Sequence, residues 1–167
     1  MFLDRVDNMV GSSILAPSFR GLSAASEASS YAKKMNRSSD TTHERLLRVL
    51  LWSRGLRYRK NVKTLPGKPD IVFARERVAI FCDGDFWHGR NWQRLSRKLR
   101  AGSNPSYWIL KIKANRRRDR RSTRLLESQG WTVIRIWETD IHHYPEQAAR
   151  AIEDLVHSCK REHDAIH

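Results

Sequence analysis

Asp70 follows a proline, Asp83 ends the most apolar run of the chain, Val78-Ala79-Ile80-Phe81-Cys82, and His88 stands five residues beyond it. Two aspartates brought to one edge of a sheet repel each other unless a cation sits between them. Oxygen ligands of this kind suit magnesium, which keeps several waters and leaves room for a phosphate. Such an ion polarises the phosphate and lowers the pKa of an attacking water. An imidazole with its ordinary pKa can take the proton from that water as a general base. Taken singly, each residue has a plainer use: aspartates favour turns, and a lone histidine is a packing or surface residue. The segment after Asp83 shifts the balance. Gly84-Asp85-Phe86-Trp87-His88-Gly89 sets two large rings beside glycines, and rings so placed are either core residues or a wedge for nucleic-acid bases.

The elements that must position these residues can be read from periodicity and punctuation. Thr41 and Glu44 have capping-box spacing, and Leu46, Leu47, Leu50 and Leu51 continue a helical apolar stripe that Gly55 stops. Strands are expected over Arg57 to Val62, Asp70 to Ala74 and Arg77 to Asp83, the last two joined as a hairpin through Arg75 and Glu76. Leu65-Pro66-Gly67-Lys68-Pro69 is a rigid turn that delivers Asp70. Further helices are expected over Gln93 to Arg100, Pro105 to Ser128 and Pro145 to His157, with a fourth strand over Trp131 to Glu138. Helix, three strands, helix, strand, helix argues an α/β fold with a mixed sheet flanked by helices. Residues 1–38, rich in Ser, Ala and Asn, are expected to form a flexible arm with a short helix over Ala24 to Met35. The ordered domain is expected over 39–158 and a tail over 159–167.

Composition narrows the partner. The 167 residues carry 32 Lys and Arg against 18 Asp and Glu, a net charge of +14. An excess of that size strains a compact fold and calls for a polyanion, of which double-stranded DNA is the leading candidate. The long helix sets Lys113, Arg117, Arg120, Arg121 and Arg124 on one broad face, a phosphate-backbone surface. Lys68, in the turn before Asp70, is counted with these DNA contacts. Two cysteines, one in a strand-like run and one in a polar tail, exclude a disulfide framework and fit a reducing cytoplasm, associated with the nucleoid. No apolar run suggests a membrane span, and a monomer is expected.

The residues Leu65-Pro66-Gly67-Lys68-Pro69-Asp70, Ile80 through Gly89, Tyr107-Trp108, Lys111-Ile112, Asn115, Arg118-Asp119, Gly130-Trp131 and Trp137-Glu138 closely resemble the very short patch repair endonucleases, in order from about Lys33 to Glu138. The resemblance implies a restriction-endonuclease-like fold of the PD-(D/E)XK type. It also implies Mg2+-dependent nicking of one strand beside a T·G mismatch, and a functional link to a cytosine-5 DNA methyltransferase. Position by position, it implies that Asp70 binds the metal, that Asp83 lies near it, and that a main-chain carbonyl near Phe81 or Cys82 completes the ligands. It makes His88 the general base and Phe86, Trp87 and Trp108 an aromatic wedge. It places Glu44 and Asp119 at the site, although Glu44 is equally explained by its capping box and Asp119 by pairing with neighbouring arginines. Met35 would reach the minor groove.

The sequence departs from the family where relatives hold structural zinc. Asp85, Arg90, Trp92 and Thr139 stand there, and Cys/His zinc is expected to be absent. Trp92 packing on the long helix and an Asp85–Arg90 bridge are expected to brace the segment instead. Two other functions fit parts of the pattern: a restriction- or phage-defence-associated nuclease with a different specificity, and a non-catalytic DNA-binding protein. The second is disfavoured, because a mere binder gains nothing from acids that repel phosphate.

Overall fold

The computed structural model describes residues 40–166. The expected arm over 1–38, its helix over Ala24 to Met35, and Met35 as a groove contact lie outside these residues. The chain runs α1 (Thr42–Ser53), β1 (Arg59–Lys60), β2 (Ile71–Phe73), β3 (Val78–Asp83), α2 (Asp85–His88), α3 (Trp92–Arg100), α4 (Pro105–Ser128), β4 (Thr132–Trp137), α5 (Glu138–His143) and α6 (Pro145–Ile166). The strands form one mixed sheet in the order β1-β2-β3-β4. The first three are antiparallel neighbours, and β4 lies parallel to β3.

β3 is buried along its whole length because helices cover both faces of the sheet. Val78, Ile80 and Cys82 enter the main core with Leu47 and Leu51 of α1 and Ile152 and Val156 of α6. Ala79 and Phe81 enter a smaller core with Leu126 of α4. Leu47, Leu51, Ile80 and Ile152 are each at most 1% exposed, and burying one such side chain stabilises the fold by about 1.5–3 kcal/mol.

The local readings hold with informative differences. At the start of α1, the Glu44 carboxylate accepts from the Thr41 hydroxyl and from the Asp40 amide, each at 2.8 Å. The Thr41 side chain caps no helix amide, and Glu44 takes the Asp40 amide in place of the Thr41 amide, so the expected box does not close. The expected strand over Arg57 to Val62 shrinks to two residues at the sheet's edge, where one neighbour supplies the only ladder. Two short helices, α2 and α5, have no apolar stripe to announce them. The last helix passes His157 and runs to Ile166, since no Gly or Pro interrupts it and Cys159 still packs on the main core. The turn before Asp70 needs its glycine: Gly67 has φ +77°, and a Cβ there would lie 2.7 Å from the Ser122 Cβ of α4. That close approach fixes the Asp70 turn against α4.

Candidate active site

Side chains alternate across a strand, so Asp83 follows Ala79 and Phe81 onto the face covered by α4. Parallel register then sets Phe81 beside Arg135 and Asp83 beside Trp137. Arg135 reaches Asp83 with both prongs: Nε donates to Oδ2 and Nη2 to Oδ1, each at 2.6 Å. The same Nη2 lies 3.5 Å from Asp119 Oδ1, and the guanidinium stands over the Phe81 ring. Asp83 is 4% exposed. A carboxylate this enclosed needs such a partner. The partner of Asp83 in the structure is thus a guanidinium supplied by β4.

His88 is held by two elements. α2 carries it, and α2 is seated on α4, where Asn115 Nδ2 donates to the Trp87 carbonyl at 2.9 Å. Gly89 ends α2 with φ +72°, and a Cβ there would lie 2.9 Å from Ile112 and Arg116. In that seat His88 Nδ1 is 2.7 Å from Asp119 Oδ2 and 3.4 Å from Asp83 Oδ1. An ionised carboxylate can only accept, so Nδ1 carries a hydrogen, and whenever the ring is neutral Nε2 keeps a lone pair. Burial alone would raise Asp119, but the His88 hydrogen bond and charge, with Arg135 and Arg118, hold it below the ordinary carboxylate value. Asp119 is therefore drawn out of the arginine-rich helix face and into contact with His88.

Asp70 occupies a different environment. Its Oδ2 accepts from the Cys82 amide at 2.8 Å, and its own amide donates to the Ile80 carbonyl at 2.9 Å. Burial first, then the charges of Glu44 and Asp83, push its pKa up to about 6, against the pull of the Cys82 amide. Glu44 itself is 3% exposed and tied to Thr41, Asp40 and Arg48. It reaches Asp70 only through its field. The Cys82 side chain faces the main core, so only its main chain meets Asp70. Among the described residues no three His, Cys, Asp or Glu side chains are grouped to hold an ion.

Beside His88 opens a cleft of about 440 Å³, lined by Asp83, His88 and Arg135 and, from α4, by Arg116, Asp119, Arg120, Arg124 and Glu127. Of the expected phosphate contacts, Arg120 and Arg124 line it, while Lys68, Lys113, Arg117 and Arg121 are exposed elsewhere. Phe86, Trp87 and Trp108 meet as one aromatic cluster, with ring centroids 5.2, 5.4 and 6.0 Å apart and Phe86 37% exposed. The segment after β3 is tied down by polar contacts. Thr139 donates to Asp85 Oδ2, Arg90 Nη2 donates to Asp140 at 2.7 Å, and Glu138 Oε1 accepts from the Asp85 amide at 3.1 Å. Arg90 Nη1 is 3.7 Å from Asp85 Oδ1, and Arg116 lies over the Trp92 ring. Sequence reasoning gave no role to Arg135, and it counted Asn115 and Glu138 in the resemblance without assigning what they do. Arg135 carried a signal of its own, a charge inside the apolar run Val133-Ile134-Arg135-Ile136.

The model of the family described as DNA mismatch endonuclease Vsr matches residues 25–94. A type II nicking enzyme of Haemophilus parainfluenzae is 40% identical over 125 residues, covering 75% of this chain and 87% of that protein. The chain belongs to the Vsr family. A type II nicking enzyme of Neisseria meningitidis serogroup C is 44% identical over 106 residues, 64% of this chain and 70% of its own. The DNA mismatch endonuclease Vsr of Escherichia coli K12 is 38% identical over 99 residues, 59% and 62% of the two chains. This Vsr-family protein is a DNA endonuclease with an α/β fold. Among its described residues no helix is long and apolar enough to cross a membrane.

Proposed function

We propose that this endonuclease nicks one strand of duplex DNA beside a T·G mismatch, using a single-histidine base and a magnesium ion. The observation that carries the chemistry is the 2.7 Å bond from His88 Nδ1 to Asp119, made at the wall of an arginine-rimmed cleft. Asp119 fixes the tautomer and orientation of the ring, which leaves Nε2 to accept a proton. Water then adds to phosphorus, one ester P–O bond breaks with its electron pair going to the leaving sugar oxygen, and that oxygen takes a proton from solvent.

The surroundings of Asp70 fit a divalent cation. A largely buried carboxylate in the field of Glu44 and Asp83, bonded among the described residues by one main-chain amide and no cationic side chain, with the charge of Arg135 only partly offsetting them, is short of positive charge. Asp70 and the Cys82 main-chain carbonyl would hold the ion, with water filling the remaining positions as magnesium prefers. When bound, the ion would polarise the phosphate and acidify the attacking water.

The aromatic cluster supports action on distorted duplexes. Phe86, Trp87 and Trp108 brace one another edge to face, a rigid body suited to entering between base steps. T·G mismatches arise where 5-methylcytosine deaminates, so a cytosine-5 DNA methyltransferase is the expected functional companion. The polar contacts of Asp85, Arg90 and Thr139, with Trp92 under Arg116, take over the bracing of the wedge segment.

The test compares matched and T·G-mismatched duplexes incubated with the protein and magnesium, with Asp70→Ala as control. Nicking of the mismatched duplex alone is expected. Cleavage of both duplexes would assign a different specificity, and binding without cleavage would reduce the protein to a DNA binder.

A further inference from the structure

The two carboxylates nearest His88 are already neutralised. Asp83 and Asp119 contribute two negative charges. Arg135 meets both, and Arg118 stands 3.6 Å from Asp119. Two carboxylates and two guanidiniums leave no net charge to attract a divalent ion. Geometry repeats the point, because both Asp83 oxygens are taken by Arg135 at 2.6 Å. An ion seeking Asp83 would have to displace a bidentate guanidinium that is itself only 23% exposed. Asp70, by contrast, has an amide at Oδ2 and no cationic side chain bonded to it among the described residues.

Nucleases that use two metal ions place them on either side of the reacting phosphate, so that attacking and leaving oxygens are both stabilised. Resting on the metal-dependent reading above, we propose that Arg135 takes the place of the second ion, so that this endonuclease works with one divalent ion at Asp70 and a built-in guanidinium at Asp83. One further detail points the guanidinium at a substrate. Arg135 lines the cleft, and its Nη1 is enclosed with no hydrogen-bond partner. The Thr123 hydroxyl, also on the cleft wall, is likewise enclosed and without a partner. Buried donors left unpaired are uncommon and costly. A phosphate seated in the cleft would offer acceptors to such donors, and Arg135 would meet its charge without any change of protonation.

The arrangement differs in kind from a metal clamp. A guanidinium that is already ion-paired needs no ion from solution and costs little reorganisation as charge develops on the phosphate. Its loss should therefore affect the cleavage step more than the binding of DNA, which rests on exposed cations elsewhere on the molecule.

The experiment counts Mn2+ bound to the full chain by calorimetry and by electron paramagnetic resonance, with and without a duplex under non-cleaving conditions. One ion per chain is expected for the wild type, none for Asp70→Ala, and one for Asp83→Asn. Arg135→Gln should gain a second, weaker ion on the freed Asp83 and Asp119. Its single-turnover cleavage should fall on the order of 100-fold, with DNA affinity held within about twofold, and Arg135→Lys should restore part of the rate. Two ions on the wild type, loss of the ion in Asp83→Asn, or wild-type cleavage by Arg135→Gln would each overturn the assignment. If Arg135→Gln does not fold, the wild-type and Asp83→Asn counts decide. Counting needs no catalysis, so a wild type that cleaves no duplex refutes the nuclease reading separately, and the ion count still judges Arg135.

Discussion

Consider Asp70→Asn in protein stripped of divalent ions. Asp70 is largely buried, repelled by Glu44 and Asp83, and its pKa is pushed from 3.8 to about 6. A carboxyl whose folded pKa lies above its unfolded value is favoured in the fold while protonated. Its penalty is absent below about pH 4, grows as pH rises, and is complete above about pH 6. Roughly two pH units at ~1.4 kcal/mol each give an upper bound of ~3 kcal/mol at neutral pH. Asparagine removes the charge yet keeps an oxygen that can accept from the Cys82 amide. Urea unfolding in EDTA at pH 7.5 should therefore show Asp70→Asn to be more stable than wild type, by about 1–3 kcal/mol. The advantage should shrink toward zero near pH 4. Magnesium should stabilise the wild type and leave the variant unchanged, because only the carboxylate offers a charge to the ion. A variant less stable than wild type at pH 7.5, or an advantage that persists at pH 4, would refute the view that Asp70 is an acid held short of a cation.

Two further outcomes follow from the contacts. Asp119→Asn leaves the shape of the His88 seat intact but lets an amide face Nδ1, freeing the ring to adopt the wrong tautomer. Single-turnover cleavage should drop by about 100-fold or more, and an unchanged rate would remove Asp119 from the mechanism. Trp92→Ala removes the ring beneath Arg116 at the base of the wedge segment. The melting temperature should fall by several degrees for a loss of about 1–2 kcal/mol, and an unchanged melting temperature would show that Trp92 braces nothing.

The pattern of the site was largely legible in the residues. Pro69-Asp70, Asp83, His88 and the Phe86-Trp87 pair could be singled out because residue type, spacing and the flanking apolar run all lie within about twenty positions. The hairpin was legible for the same reason: β2 and β3 are neighbours in sequence, and Phe73 pairs with Val78 across a tight turn. Glu44 could be read as cap or site residue, with the resemblance tilting it to the site, and the structure ties it to Thr41 and Asp40 at the helix start while its charge acts on Asp70. Asp119 looked like one more partner for surrounding arginines, because a run of charge on a helix does not say which turn faces the sheet. Its bond to His88 needed the seat that Asn115 and Gly89 give α2 on α4.

The sequence by itself determined the local quantities: helix periods, the turn that presents Asp70, the charge that seeks DNA, and the residues chemically able to move a proton or hold an ion. Tertiary structure alone decided which of those groups became partners. Arg135 reaches Asp83 across 52 positions because β4 joins β3 in parallel, with Phe81 beside Arg135 on the face that α4 covers. Register of that kind is set by packing both faces of a sheet at once. No local window contains the information, since the parity of one strand has meaning only against the strand that comes to lie beside it.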